Sequence, residues 1–424
     1  MPATSNQLWN DFETICDYGG RQSGTLSERN ATERLKKLGQ EASGVPPVIE
    51  DVSYGGWEAI SGSLFLPDGE TVDINPLLRT VATHTNGLTA EVVDLGRGTM
   101  EEFAAHHHEI AGRIVMVRHE LMFNPGTVHR RLKYRAAVDA GALGFLIAGP
   151  VEDSLVAGSS GRGKEPGIPA AGISPAAARA LERRSVNRPK VTLHIETRNY
   201  DAIAQNLIFN IPGTTEDWIV ISAHIDGHGL GESALDNASG LAVALDVTRQ
   251  LAKTASTGRR GLRLALFNIE EWALTGSAAH LAKISEARRN TIALNVNLDT
   301  VAGADALTAL TSGFEALEPF LLDCAAVVGQ RLGLFRPLQV NSDHGNFAQM
   351  GIPAFRLVAG FGDAKASTSL VLTDRDRRNL ASVDQLTRAS ELSCEIVQRA
   401  LNVPDVVAAS WRQRIVSTLS KQQN

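Results

Sequence analysis

From about residue 199 to residue 403 the chain repeats one order: a short apolar run, a loop, then a stretch with helical spacing. The runs are Trp218-Ile219-Val220-Ile221-Ser222, Leu262-Arg263-Leu264-Ala265-Leu266-Phe267, residues 292–298, and Ala354-Phe355-Arg356-Leu357-Val358. Residues 241–251 carry apolar side chains at i, i+3, i+4 spacing, and a further helix is expected from about Ser277. Continuous apolar strands that alternate with helices predict a mostly parallel sheet flanked by helices, an α/β fold. In such a sheet ligands sit in the crevice outside the carboxyl ends of the strands. The residues just after each strand are therefore the place to look for chemistry.

The flanking sequence fits around this unit. Residues 1–80 read as the N-terminal part of the same domain, with helices over 8–18 and 27–41 and Ser27 as the expected N-cap of the second. Residues 81–198 have a different texture, with a strand at 113–117, a helix over 130–140, a strand at 144–148 and turn formers at 166–175. They read as a small β-rich domain inserted into the larger one, which resumes over 199–424. The last residues, 421–424, read as a frayed tail. Arg130-Arg131-Leu132-Lys133 and His106-His107-His108 are expected at solvated surfaces.

Bulk properties exclude several functions. A net charge of −6 argues against a nucleic-acid partner. No apolar run approaches the roughly 20 residues needed to span a bilayer, so no membrane partner is expected. The N-terminus lacks the basic and apolar regions of a leader, and Cys16, Cys324 and Cys394 are too few and too scattered for a disulfide framework. A reduced, cytoplasmic location is the expectation. Self-association into a homo-oligomer is compatible with a surface of this size.

Four clusters follow the strands: Ala223-His224-Ile225-Asp226-Gly227-His228, Leu235-Asp236-Asn237-Ala238-Ser239-Gly240, Glu270-Glu271-Trp272 and Asn297-Leu298-Asp299. Singly, each has an ordinary structural reading: a hydrogen-bonded histidine, a helix N-cap, a solvated acidic pair. Together, at the strand ends of one domain, they point to a divalent cation. Imidazole nitrogen with carboxylate oxygens suits Zn, Mn or Co, and a catalytic site keeps a position open for water. Such an ion lowers the pKa of its water toward about 7, and a carboxylate that does not bind the ion can move the proton.

These motifs resemble those of the zinc-dependent aminopeptidases of the bacterial leucyl aminopeptidase and aminopeptidase Y type. Ser342-Asp343-His344-Gly345-Asn346-Phe347, followed by Gly351-Ile352-Pro353-Ala354, is similar to a further landmark of that family. Residues 81–198 resemble its inserted protease-associated domain, and Gly20-Arg21-Gln22-Ser23-Gly24-Thr25 resembles its N-terminal segment. The resemblance implies a zinc-exopeptidase-like fold. It also implies that His224, Asp236, Glu271 and Asp299 are metal ligands, that Glu270 is the general base, and that Asp226 holds His224 through its second ring nitrogen.

One position departs from the family. A histidine ligand is expected in the segment Val371-Leu372-Thr373-Asp374-Arg375-Asp376-Arg377-Arg378, and Leu372 stands in its place. That predicts one cation per subunit rather than two. His228 is a replacement ligand or a substrate contact, whereas His344 belongs to a landmark that does not ordinarily bind metal. Arg375, Arg377 and Arg378 offer bidentate donors for a carboxylate or nitro group.

The predicted activity is metal-dependent hydrolysis of a C–N bond in a small molecule. The first expectation is an aminohydrolase acting on an aminoaromatic acid such as 5-nitroanthranilate. An aminopeptidase and a catalytically lapsed binding protein are the alternatives.

Overall fold

The computed structural model describes residues 3–121, 124–163, 166–183 and 188–414, so the tail at 421–424 lies outside the described residues. The chain divides into two compact units, one of residues 1–54, 203–368 and 376–424, the other of residues 55–202 and 369–375. The second unit thus begins before residue 81 and takes a short segment from far downstream. The reason is local: Thr373 bridges Val156, and the Ala157 amide donates to the Leu372 carbonyl at 2.7 Å.

In the first unit, parallel pairing joins Trp218–His224 to Gly261–Phe267 on one side and to Ile292–Leu298 on the other. Ala354–Ala359 continues the parallel order beside Ile292–Leu298. Leu307–Leu310 runs antiparallel to Ala354–Ala359, and Leu332–Phe335 lies parallel beside Leu307–Leu310. On the other side residues 207–211 pair antiparallel with Gly261–Phe267. The sheet is mixed, with a parallel centre. Every residue of Ile292–Leu298 is buried, as expected of a strand covered on both faces.

The helix Ser239–Thr257 is buried on all sides over Ser239–Thr248, with Leu241, Val243, Leu245 and Val247 inside, and buries Leu251 and Ala255 further on. Its start is locked to the sheet by Asn237, whose Nδ2 donates to the Leu298 carbonyl at 2.9 Å while its Oδ1 accepts from the Gly240 amide at 3.0 Å. A side chain at Gly240 would place a Cβ 2.2 Å from that same carbonyl, so only glycine permits the approach. Near the N-terminus, the helix Leu26–Ser43 is capped by Thr25 rather than Ser27. Ser27 Oγ instead donates to the Tyr18 carbonyl, so it is not available to cap.

The inserted unit is β-rich, with four strands in parallel order: Leu88–Asp94, Ile114–Arg118, Gly144–Ala148 and Ala170–Ile173. Its core includes Ile114, Met116, Leu146, Ile173, Leu181 and Leu193. One expectation fails here. Arg130 and Lys133 of the helix Arg130–Asp139 are buried rather than solvated. Lys133 Nζ donates to the Arg97 and Arg118 carbonyls at 2.6 and 2.9 Å and to Glu120 at 2.8 Å, which satisfies all three of its protons. The three histidines are solvated as expected, with His107 and His108 exposed, and they stand at a helix junction with His106 Nδ1 2.9 Å from Glu109. Among the described residues no helix is long and apolar enough to cross a membrane.

Candidate metal centre

Parallel order brings the acidic clusters to the carboxyl end of the sheet's central strands. His224 ends its strand, Asp299 directly follows Ile292–Leu298, Glu270 and Glu271 follow Gly261–Phe267, and Asp236 precedes the helix Ser239–Thr257. One ligand atom each from His224, Asp236 and Asp299 lies within 4.8 Å of the others, and all three residues are buried. His224 Nε2 is 3.0 Å from Asp236 Oδ1 and 3.8 Å from Asp299 Oδ1.

The other ring nitrogen decides what occupies the space between these atoms. His224 Nδ1 lies 2.9 Å from the Asp226 backbone carbonyl, which can only accept, so Nδ1 carries the proton. In a neutral ring Nε2 then offers a lone pair toward Asp236 and Asp299, acceptor against acceptor. Such a contact needs a positive centre, either a second proton or a cation. Two ligands of one ion at about 2.0–2.1 Å stand about 3 Å apart, which is the separation of His224 Nε2 and Asp236 Oδ1. The same field acts on protons. Although burial opposes charge on His224, Glu270, Asp226, Asp236 and Asp299 outweigh it and raise its proton affinity well above that of a free imidazole. The donor set fits a divalent transition cation.

Asp226 plays a different part from the one expected. It is the backbone carbonyl, not the carboxylate, that holds His224; the carboxylate is 3.8 Å from Nδ1. That carboxylate accepts from the amides of Glu270 and Glu271 at 2.9 and 3.2 Å and from Ser23 Oγ at 2.9 Å. One residue thus fixes the ring of the histidine and the backbone of the acidic pair.

Glu271 is not drawn into the three-residue group. Its Oε1 lies 2.6 Å from His228 Nε2, closer than two ligands of one ion stand and within ion-pair distance. His228 therefore engages the carboxylate that was expected to bind metal. Glu270 is buried beside the group. Burial lifts its carboxyl well above the usual carboxylate range, His224 pulls it back, and Glu271, Asp343 and Asp299 push it up again. A group in that position is suited to taking a proton near neutral pH.

Two further side chains support Asp299. Arg356 Nη2 donates to its Oδ1 at 3.0 Å, and Ser342 Oγ donates to its Oδ2. Burial works against the anion, but Arg356, His224 and Ser342 hold Asp299 well below the usual carboxylate range. The signal for Arg356 was present: a fully charged side chain in the middle of an apolar strand must have a buried partner. Asp376 supports the Asp236 loop in a similar way. Its carboxylate accepts from the amides of Leu235 and Asp236 at 2.8 and 3.3 Å, and burial raises its pKa to about 7.

The remaining expectations separate. His344 is fully buried, lies outside the group, and burial with the nearby Arg356 lowers its pKa to about 3. Arg378 is committed to protein carboxylates, with Nε 3.1 Å from Glu232 and Nη1 2.8 Å from Asp17, so it does not present a free fork to a ligand. Arg375 is exposed with Asp374 3.7 Å away, and Arg377 is exposed. Leu372 is buried, with a left-handed backbone at φ 69°.

Comparison with known proteins places these features. Residues 206–397 match peptidase family M28, and residues 85–181 match the PA domain. Aminopeptidase YwaD of Bacillus subtilis (strain 168) is 24% identical over 325 residues, covering 75% of this chain and 68% of that one. Carboxypeptidase Q of Xenopus laevis is 24% identical over 365 residues, covering 80% of this chain and 74% of that one. The structure of a zinc aminopeptidase from Bacillus subtilis superposes with a TM-score of 0.75 at 21% identity, covering 95% of this chain and 96% of that one.

Proposed function

From the premise that this chain belongs to peptidase family M28, with an inserted PA domain, and is a metal-dependent hydrolase of C–N bonds, we propose that it is an aminopeptidase working with one divalent cation. The observation that carries the reading is the facing of His224 Nε2 and Asp236 Oδ1 at 3.0 Å, with Asp299 beside them and Glu270 buried next to the group. When bound there, a divalent ion supplies Lewis-acid activation of water and of the scissile group.

The rest of the chemistry belongs to the chain. His224, Asp236 and Asp299 hold the cation, with the histidine ring fixed by the Asp226 carbonyl. Glu270 takes a proton from water at its carboxylate and returns it to the departing nitrogen. Arg356 and Ser342 keep Asp299 ionised and oriented. Glu271 is engaged by His228, and this is the ground for one cation rather than two.

That pairing, with Leu372 where the family resemblance calls for a histidine, favours a second reading. A centre with one cation stabilises a tetrahedral oxyanion less than a centre with two. It suits a substrate that absorbs negative charge by itself, such as the ring of an aminoaromatic acid bearing a nitro group. Zn- or Mn-loaded protein incubated with aminoacyl-nitroanilides and, separately, with 5-nitroanthranilate distinguishes the two. Free nitroaniline from the first supports the aminopeptidase; ammonia from the second, without nitroaniline from the first, replaces it with the aminohydrolase. Silence from both, with metal bound, contradicts either.

A further inference from the structure

The segment around Gly20–Glu28 is far in sequence from every residue of the metal group, yet it bonds to the loops that carry His224, Asp236 and Glu270. Arg21 is fully buried. Its Nε donates to the Ile225 carbonyl at 3.0 Å, immediately after His224. Its Nη1 donates to the Glu232 carbonyl at 2.9 Å and its Nη2 to the Ser233 carbonyl at 2.8 Å, both on the loop that leads into Asp236. A further bond at 2.7 Å to the Gly19 carbonyl ties the fork to its own segment.

Neighbouring residues complete the brace. The Gly227 amide donates to the Arg21 carbonyl at 3.3 Å, and Ser23 Oγ donates to the Asp226 carboxylate. Glu28 accepts from Asn268 Nδ2 at 2.6 Å, on the loop that bears Glu270. The packing leaves no slack, since a Cβ on Gly20 would stand 1.7 Å from the His228 carbonyl oxygen.

A buried cation is a poor device for stability alone, because its desolvation offsets most of what its bonds return. Among the described residues no carboxylate lies within ion-pair distance of this guanidinium, and all of its recorded side-chain bonds go to backbone carbonyls. What a rigid planar fork provides, and an apolar side chain or a lysine does not, is a fixed distance between the carbonyls it spans. Those carbonyls lie one residue past His224 and three and four residues before Asp236. Their separation governs the approach of Nε2 to Oδ1.

We propose that Arg21 is a positioning residue for the cation site: its guanidinium clamps the His224 loop to the Asp236 loop and so sets metal affinity. The inference rests on the metal reading given above. Arg21→Lys retains the charge and loses the fork. Zn(II) affinity of the full-length protein, measured by competition with a fluorescent chelator, is expected to fall about 10–100-fold, the range for groups that orient ligands. Metal-free Arg21→Lys should keep native circular dichroism, and its turnover should return toward wild type as Zn(II) is raised to saturation.

Should Arg21→Lys fail to fold, Ser23→Ala decides, because it removes one bond of the brace and little volume; a loss of up to about tenfold is expected. Folded Arg21→Lys with unchanged affinity overturns the proposal. So does failed folding of Arg21→Lys together with unchanged affinity in Ser23→Ala. Wild-type protein that binds no Zn(II) instead defeats the metal reading beneath it.

Discussion

The two units of this chain are both built on parallel strands, and both carry acidic side chains at the margins of their sheets, but they compensate those charges differently. In the inserted unit the acids meet guanidinium or ammonium groups. Asp94 pairs with Arg118 at 2.7 Å, Glu120 with Lys133 at 2.8 Å, and Glu91 with Arg113 at 2.8 Å. In the other unit Asp226, Asp236, Glu270, Asp299, Asp343 and Asp376 are all buried, and the buried guanidiniums bonded around them are Arg21 and Arg356. Acids that each meet a basic side chain directly serve structure. Acids gathered beyond the local supply of positive charge make a place for an ion, and the surplus shows in the raised proton affinity of His224; burial is the chief cause that raises Glu270, Asp343 and Asp376.

The sharpest way to break this contrast is at Glu270. Glu270→Gln should lower turnover by about 10²–10⁴-fold, the usual contribution of a general base, while Zn(II) affinity by chelator competition stays near wild type. Turnover near wild type would remove Glu270 from the proton path. His224→Ala comes next. Loss of a ligand should weaken Zn(II) binding beyond the roughly hundredfold seen for outer groups, and unchanged metal content would exclude His224 from the site.

Paired substitutions sharpen the comparison itself. Arg356→Met removes the cation bonded to the buried Asp299 and should lower stability by about 3–5 kcal/mol in metal-free protein. Lys133→Met leaves Glu120 paired with Arg97 and should cost less, about 1–3 kcal/mol for the Arg97 and Arg118 carbonyls it orphans. Added Zn(II) should recover much of the loss at Arg356, where the cation replaces the missing charge, and none of the loss specific to Lys133. Equal recovery in thermal melts would erase the distinction between the units.

The smallest expected effect is on pH. His224 has a folded-state pKa well above 6.5, so in metal-free protein it contributes stability that is present below 6.5 and fades as pH rises through the higher folded value. The cation must displace that proton, so its affinity rises with pH by up to about tenfold per unit. The increase in melting temperature on adding Zn(II) should therefore be larger at pH 8 than at pH 6. His119 in the inserted unit, lowered to about 3 by burial and nearby Arg130 and Lys133, stays neutral over that range and adds no such slope. A metal-induced shift that shrinks from pH 6 to pH 8 would contradict the assignment.

The strand ends, the inserted unit and the gathering of His224, Asp236 and Asp299 were legible because they depend on periodicity and on residue type at the end of a strand. Contacts between distant segments were not. Glu271 lost its expected place because His228, 43 positions away, reaches it first, and no local pattern reports that. The carboxylate of Asp226 turned to two amides that come into reach only when neighbouring strands pair. Lys133 looked like part of a solvated basic stretch, and its burial became visible only with the carbonyls that receive it. Arg21 was part of a noticed motif, but its partners lie more than 200 residues away.

The central claim is that one divalent cation sits among His224, Asp236 and Asp299. Anomalous diffraction from crystals grown with Zn(II) tests it most directly. The account predicts one dominant peak about 2.0–2.2 Å from His224 Nε2 and from a carboxylate oxygen of Asp236 and of Asp299, with Glu271 still facing His228. An ordered site with no peak there, or an equally strong second peak bound by Glu271, would contradict it.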